Sequence, residues 1–496
     1  MVQGENPRPA RALAEAETEF SPVEADLGSF RDPAGSVIAI NGRVFRRVNP
    51  SGRANLEAFF NSAVARRYAE RGLLVRTEVV PAGDLARLGC TNVFDADPDE
   101  VVLEHEPIWF PSFPYEWPPE MLHAAAGLTL DLAAELLEEG RGLKDATPFN
   151  VLFRGPEPVF VDVLSWEDRD PLDPVWTPCA QFLRTFLLPL AADKLCGWRL
   201  QASLTGRWEG LDPKELYRSL GWLRRLRRPL FGLVTLPIWL EKAVGDQPGL
   251  YSKRRVADPA QARFILRALL SRLRRQLGRC APDAGRRSQW SPYSTSHSHY
   301  TSEQWALKED FVRQTLVALR PKRTLDVGCN TGQFSLMAAE EGARVVAIDN
   351  DPIVVGQLWR QARQRKLDVL PLVVDFARPS PAVGWRNREC PSFLDRARGK
   401  FDLVLMLAIL HHLLVSERIP VLEILDLARE LTTDWLLIEY VDPQDPMFQR
   451  IARGRDKLHS GLSAERFAEA CLTGFRIVRS VRLPGAQRWL FLLRKD

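Results

Sequence analysis

Apolar positions along this chain change their spacing several times, and each change marks an element. Residues 36–40 and 43–48 alternate in and out around Asn41-Gly42, the dipeptide of a two-residue hairpin turn with positive φ at both central positions. Residues 54–73 repeat at helical spacing and end in glycine, which predicts one helix with a left-handed cap. Residues 75–80 and 101–104 read as strands. The proline- and aromatic-rich 107–119 reads as an irregular loop, 121–139 as a long helix closed by Gly140, and 151–153 with 159–163 as a short strand pair. From Trp176 to about Gly278 the period is mostly helical. A helix is expected over 302–319. Strands follow at 324–327, 344–348, 369–374, 403–406, 435–439, 475–482 and 489–493, with helices between them. Seven strands interleaved in this way predict an α/β, doubly wound, Rossmann-like sheet with antiparallel strands near its C-terminal end.

At 496 residues the chain is long enough for two or three domains. Its 45% hydrophobic and 26% charged content is that of a soluble globular protein. Residues 1–27 are rich in Ala, Pro and Glu and lack an apolar core, so a disordered acidic tail is expected there rather than a signal peptide. No run of apolar residues is long enough to cross a bilayer. The seven cysteines are scattered, odd in number and without a C-x-x-C pair. That argues against a disulfide framework or zinc knuckle and for a cytoplasmic setting. The pattern divides the rest into an α+β module over 28–170, a helical region over 171–280, a linker over 281–301 with aromatic anchors at Trp290, Tyr293 and Tyr300, and the doubly wound domain over 302–496.

Chemistry concentrates at 324–351. Asp326-x-Gly328-x-Asn330-x-Gly332 joins the first strand of that domain to its first helix, and Asp349 ends the second strand, followed by Asn350. The dinucleotide G-x-G-x-x-G spacing is absent, and an acid already stands in the first strand. This spacing predicts the turn of an S-adenosylmethionine site. A bound sulfonium nucleoside needs close backbone approach, an acid for its ribose hydroxyls and an apolar slot for adenine. Gly328 and Gly332 are expected to give the first, because a Cβ there would meet the ligand or twist the turn. Asp349 gives the second, and Asp375 with Phe376 the third. Asp326 is expected in the network around the amino-acid part, and Leu407 beside the sulfonium at the end of FDLVLMLAILHH. His411 and His412 are the candidate catalytic pair, since an oxygen or nitrogen acceptor must lose a proton near transfer and imidazole titrates near neutrality. Tyr300, Lys308 and Trp290 could cap the cofactor or acceptor, but ordinary packing of a linker is the favoured reading; Glu439, ending a late strand, faces either the acceptor or solvent at the sheet edge.

A second constellation lies upstream. In LKDATPFNVLFRGPEPVFVD, Asp145 and Asn150 stand in D-x-x-x-x-N, and Asp162 follows a hairpin. Protein kinases and small-molecule phosphotransferases use this spacing to orient a hydroxyl and hold Mg²⁺. Yet residues 1–143 contain no lysine, and the leading hairpin has no glycine-rich loop. Only Arg46 or Arg47 stands where a phosphate-gripping lysine would. The expectation is a kinase-like fold kept as a binding module. Asn150 and Asp162 would be metal ligands only if it were active, and otherwise no metal is expected.

Residues 217–280 carry 15 Lys and Arg against 3 Asp and Glu, although the whole chain is only +4. Such a run usually marks a solvated face. Peripheral contact with an anionic membrane is the less favoured reading, and no nucleic-acid-binding module is present.

LKDATPFNVLF, PVFVDVLSWE, PCAQFLRTFLLPLA, TLDVGCNTGQFS, VLPLVVDFARPSPAVGW and LVLMLAILHHLLVSERIP together resemble the NoeA-type nodulation protein family of class I methyltransferases, from about residue 28 to the C-terminus. The resemblance implies a bacterial, cytosolic, S-adenosylmethionine-dependent enzyme with a fused N-terminal module. It leaves the acceptor open. The link of some members to host-specific nodulation points to a small-molecule, glycan or lipid-linked signal. Asn330 stands where the class commonly has glycine, and asparagine tolerates the positive φ required. Two other readings stay open: an active N-terminal phosphotransferase, and a non-catalytic cofactor-binding scaffold.

Overall fold

The computed structural model describes residues 25–26, 29, 31–81, 100–244, 255–288, 300–452 and 461–496. Trp290, Tyr293, Cys90 and most of the 1–27 tail lie outside these. The tail is not wholly irregular: Ala25–Asp26 (β1) pairs antiparallel with Ile38 and Ala39. Contacts divide the chain into two compact units, one of residues 1–50 and 77–107, the other of 51–76 and 108–496.

The smaller unit is an antiparallel sheet. Strands Gly35–Ile40 (β2), Arg43–Val48 (β3), Thr77–Val79 (β4) and Val101–His105 (β5) join β1 in the order β1-β2-β3-β5-β4. Asn41 and Gly42 have φ of 52° and 74°, the hairpin turn expected from the dipeptide. Arg46 is buried and donates to Asp32 at 2.9 Å, and Arg47 lies 3.8 Å from Glu100, so acids just ahead of β2 and β5 engage both arginines.

In the larger unit the helix expected over 54–73 is two helices, Arg53–Phe60 and Ala63–Glu70. Ser62 interrupts them. Its backbone is extended (φ −86°, ψ 122°) and its hydroxyl accepts from Ala65 N at 3.1 Å, so a capping serine overrides the apolar period. Val75 does not continue into β4 but bonds to Phe160 O at 2.9 Å. The long helix runs Pro119–Glu138. Beside it lie two small ladders: Arg141–Leu143 (β6) with Trp166–Asp168 (β9), and Val151–Arg154 (β7) with Glu157–Phe160 (β8). Short helices follow, and then the 22-residue helix Pro259–Cys280.

The capping box Thr301/Gln304 starts helix Ser302–Leu319, which leads into the large sheet. Its strands are Arg323–Val327 (β10), Arg344–Asp349 (β11), Val369–Val373 (β12), Phe401–Met406 (β13), Thr432–Val441 (β14), Phe475–Arg482 (β15) and Arg488–Lys495 (β16). The order is β12-β11-β10-β13-β14-β16-β15. The first five strands are parallel, and β16 runs antiparallel to both neighbours. The fold is the α/β doubly wound sheet expected from the sequence. Pro371 is tolerated in β12 because that strand is an edge.

Described residues before and after 281–301 belong to the same compact unit. Arg396, on the helix before β13, forms a buried ion pair with Glu116 and donates to Pro111 O at 2.6 Å. Trp359, on the helix after β11, donates to Pro156 O at 2.9 Å. These are long-range pairings of buried polar groups, which apolar periodicity cannot report.

Candidate active site

In an open parallel sheet a ligand crevice forms beyond the carboxyl ends of the strands, where the winding reverses. Here the chain passes from β10 outward to β11 and β12, then returns on the other side of β10 as β13. A cleft of about 590 Å³ opens at that point. Gly328, Asn330, Asp349, Asn350, Asp375, Phe376, Leu407, His411 and His412 all line it.

Each is placed by local chain chemistry. β10 ends in a turn with φ of 73° at Gly328, 50° at Asn330 and 81° at Gly332. Asn330 holds its strained backbone with its own side chain, Oδ1 accepting from Thr331 N at 2.7 Å. Asp349 ties this turn to β11, with Oδ2 accepting from Asn330 N and Oδ1 from Asp351 N, each at 3.0 Å. Asn350 N–H adds a third backbone contact, and what acceptor capacity the carboxylate keeps is what a vicinal diol would use. Burial pushes the Asp349 carboxyl up to about 6, although backbone N–H donors pull the other way. Asp375 accepts from Ala377 N at 3.0 Å and pairs with Arg378 at 3.0 Å. Arg378 in turn pairs with Glu417 at 2.6 Å, and Glu417 also lines the cleft. Phe376 is buried and forms apolar wall beside it.

Two residues expected at the ligand are not in the cleft lining. Asp326 is buried, away from the cleft lining, and accepts from Ser335 Oγ at 2.5 Å, pinning the following helix to β10. Burial raises its carboxyl to about 6. Gly332 faces the core: a Cβ built there would lie 2.1 Å from Leu358 Cδ1. By contrast a Cβ at Gly328 would press on Ile409 at 3.0 Å in the floor of the cleft. Gly332→Ala is therefore expected to lower stability by about 2–4 kcal/mol, from a left-handed alanine plus overpacking, read as a reduced unfolding midpoint. The glycine spacing signalled the turn correctly: Gly332 takes the left-handed backbone the turn needs, and close packing against Leu358 adds a second reason for glycine.

His411 and His412 open the helix Leu410–Val415, with ring centroids 4.3 Å apart and planes at 42°. His411 is the more buried. Burial lowers the pKa of His412, which keeps its imidazole neutral at pH 7. Ala408, between Leu407 and these rings, has φ of 58°, an uncommon conformation for alanine that aims the loop into the cleft.

Other lining residues carry no signal in the local sequence. Arg199 donates to Asn350 O at 3.3 Å from 151 residues away. Arg286 pairs with Asp193 at 3.1 Å, and Arg488 with Asp445 at 2.8 Å. Tyr300, Lys308 and Glu439 form none of the lining. Tyr300 donates to Glu439 at 2.8 Å, and Lys308 Nζ lies 2.6 Å from Glu439, all three buried. Upstream, Asn150 donates to Asp162 at 3.4 Å, and Gln181 donates to Asp145 at 3.3 Å. Among the described residues no cluster of three or more His, Cys, Asp or Glu is arranged to hold a metal ion, and no helix is long and apolar enough to cross a membrane.

A family model described as a methyltransferase domain matches residues 325–434, from β10 into β14. The N-methyltransferase NodS from Bradyrhizobium japonicum WM9 is similar at 17% identity, over 38% of this chain and 97% of that one, with a TM-score of 0.28. A magnesium protoporphyrin IX methyltransferase from Synechocystis PCC 6803 with bound SAH is similar at 20% identity, over 39% of this chain and 84% of that one, with a TM-score of 0.30. The bifunctional kinase-methyltransferase WbdD is similar at 19% identity, over 38% of each chain, with a TM-score of 0.26. The nodulation protein NoeA of Rhizobium meliloti (strain 1021) is 30% identical over 481 residues, which is 95% of this chain and 96% of that one. With a methyltransferase domain around the cleft and a relative matched almost end to end, this chain belongs to the NoeA nodulation protein family.

Proposed function

We propose that the protein transfers a methyl group from S-adenosylmethionine to an oxygen or nitrogen of a small-molecule, glycan or lipid-linked acceptor in the cytoplasm. The observation that carries this reading is the cleft at the winding reversal, where one wall offers the Asp349 carboxylate and another offers Phe376 beside Asp375. That donor set fits a nucleoside with a free ribose diol. It fits a dinucleotide poorly, since the turn lacks the phosphate-binding glycines.

When bound, the cofactor supplies an electrophilic methyl group on a cationic sulfur. The chain's own part is mostly alignment and exclusion of water. Asp349 fixes the sugar, Asp375 and Phe376 fix the base, and Gly328 lets the backbone close on the ligand. His412, neutral at pH 7, is the group that takes the acceptor's proton, with His411 packed against its ring.

His412→Ala is expected to lower kcat by roughly 100-fold while leaving S-adenosylmethionine affinity unchanged. Turnover unaffected by that change would remove the base assignment. The whole reading is tested by calorimetry with S-adenosylmethionine, followed by mass spectrometry of extracts incubated with enzyme and isotopically labelled methyl donor. Failure of the full chain to bind the cofactor would end it. Binding without any labelled product would leave a cofactor-dependent scaffold as the function.

A further inference from the structure

Helix Pro259–Cys280 carries arginines on two faces with opposite fates. On one face Arg267 and Arg274 are held by Glu138 and Asp131 of the long helix Pro119–Glu138. On the other, Arg272, Arg275 and Arg279 recur at i, i+3 and i+7 and meet Arg228 across a cleft of about 330 Å³. No carboxylate lines this cleft. Among the described residues none of the four has an acidic partner, and the side-chain contact shown for them is Arg279 donating to the buried Gln276 at 3.5 Å. Four guanidiniums gathered around one opening repel one another, and an anion seated among them would relieve that repulsion. Arginine's planar fork selects phosphate oxygens.

The surface beside this cleft is apolar in an unusual way. Trp222, Leu223 and Leu226, just before Arg228, are 71%, 62% and 53% exposed. Trp239 and Leu240 add 46% and 55%. Contacts join Trp239 to the cleft, while Trp222, Leu223 and Leu226 adjoin it through the chain segment that ends at Arg228. Phe231 lines the cleft and packs on Trp239 with ring centroids 6.0 Å apart. Trp239 donates to Tyr217 OH at 3.1 Å, and Arg225 lies over the Tyr217 ring at 4.0 Å. A free phosphate would account for the arginines and leave these side chains in water without purpose. A polynucleotide would stack on the tryptophans and gain little from Leu223 and Leu226. Exposed tryptophan and leucine within a few residues of exposed arginines are what a bilayer interface accepts, apolar tips among the acyl chains and guanidiniums at the headgroups.

We propose that this face docks the protein on an anionic phospholipid membrane, with the four-arginine cleft taking headgroup phosphates and Trp222, Leu223 and Leu226 entering the interface. The sequence alone makes this run a solvated basic face; exposed apolar side chains next to unpaired arginines change that reading. None of these residues lines the methyltransferase cleft, so the proposal stands or falls separately from methyl transfer.

The test is co-sedimentation of the full chain with vesicles of phosphatidylcholine alone and with vesicles containing phosphatidylglycerol, alongside calorimetry with inorganic pyrophosphate. Binding only to the anionic vesicles is expected. The variant Arg272→Gln/Arg275→Gln/Arg279→Gln, all at exposed positions, should lose about fivefold per arginine, or roughly 100-fold in all, at an unchanged unfolding midpoint. Trp222→Ser/Leu223→Ser should weaken vesicle binding while leaving pyrophosphate binding intact. Equal binding to both vesicle types, or no loss in the arginine variant, overturns the proposal. Pyrophosphate binding without vesicle binding would assign the cleft to a free anion, and displacement from vesicles by an oligonucleotide would assign it to nucleic acid; either result also overturns it.

Discussion

Asp349→Ala is expected to weaken S-adenosylmethionine binding at least ~100-fold, since hydrogen bonds to an ionised carboxylate contribute roughly 1.5–3 kcal/mol each and two to the ribose would be lost. The same change removes the acceptors for Asn330 N and Asp351 N, so the turn after β10 loosens as well. Asp349→Asn separates these effects. Its amide oxygen still accepts one backbone N–H, but its NH₂ group opposes the other and carries no charge for the diol. Calorimetry at neutral pH reads both variants, and affinity within a few-fold of the parent in either would remove Asp349 from the site.

The pH dependence of binding follows from the same carboxyl. Its folded pKa stands near 6, above the ordinary 3.8, because burial penalises the anion. For stability the sign is therefore the reverse of a salt-bridged acid. The folded state holds this proton more tightly than the unfolded chain, so stability is lost as pH rises from about 4 through 6 and is level above that. For binding the anion is the competent form, so affinity should fall about tenfold per pH unit below 6 in the parent and stay flat in Asp349→Asn. Asp326, raised to about 6 by its own burial, shares the stability trend but not the binding trend, because its carboxylate is spent on Ser335.

What was legible in the sequence was periodic or local. All seven strands of the large sheet, helix Ser302–Leu319 and the Asn41-Gly42 turn fall where spacing and turn chemistry put them, because each depends on residues within a few positions of one another. The acids ending β11 and following β12 were placed by the same logic, since strand ends converge on the crevice whatever the loops do. Misreadings arose where a nearby residue had two physical explanations. Gly332 serves both the left-handed turn and the packing of Leu358, of which only the first was readable, and Ser62 breaks an apolar period that otherwise runs on. Arg199, Arg286 and Arg488 were invisible because nothing near them in sequence distinguishes a cleft arginine from a surface one. Their places are fixed by contacts to Asn350, Asp193 and Asp445, two of them from elements that precede the sheet in the chain.

Lys308→Met is expected to destabilise the sheet domain by roughly 3–5 kcal/mol, the cost of leaving a buried carboxylate without its partner. Lys308 and Glu439 are 1% and 0% exposed and 2.6 Å apart. Tyr300 bonds to both, and Arg488, held by Asp445, lies 3.7 Å from Glu439 on the far side. Burial alone would raise the Glu439 carboxyl, but Lys308 and then Arg488 outweigh it and hold the pKa below the ordinary value. A depressed folded pKa contributes stability above the unfolded value, lost as pH falls through the folded one, so in the parent this cluster weakens only in acid below about pH 4. In Lys308→Met, with Arg488 already engaged by Asp445, the Glu439 anion is undercompensated at every pH above that. Glu439→Gln combined with Lys308→Met removes the stranded charge while its amide still reaches Tyr300. The double variant should therefore be more stable than Lys308→Met alone, a non-additivity that a lost packing contact would not produce. Denaturant unfolding of the single and double variants decides it, and purely additive losses would show that the ion pair is incidental to the stability of β14 and β16.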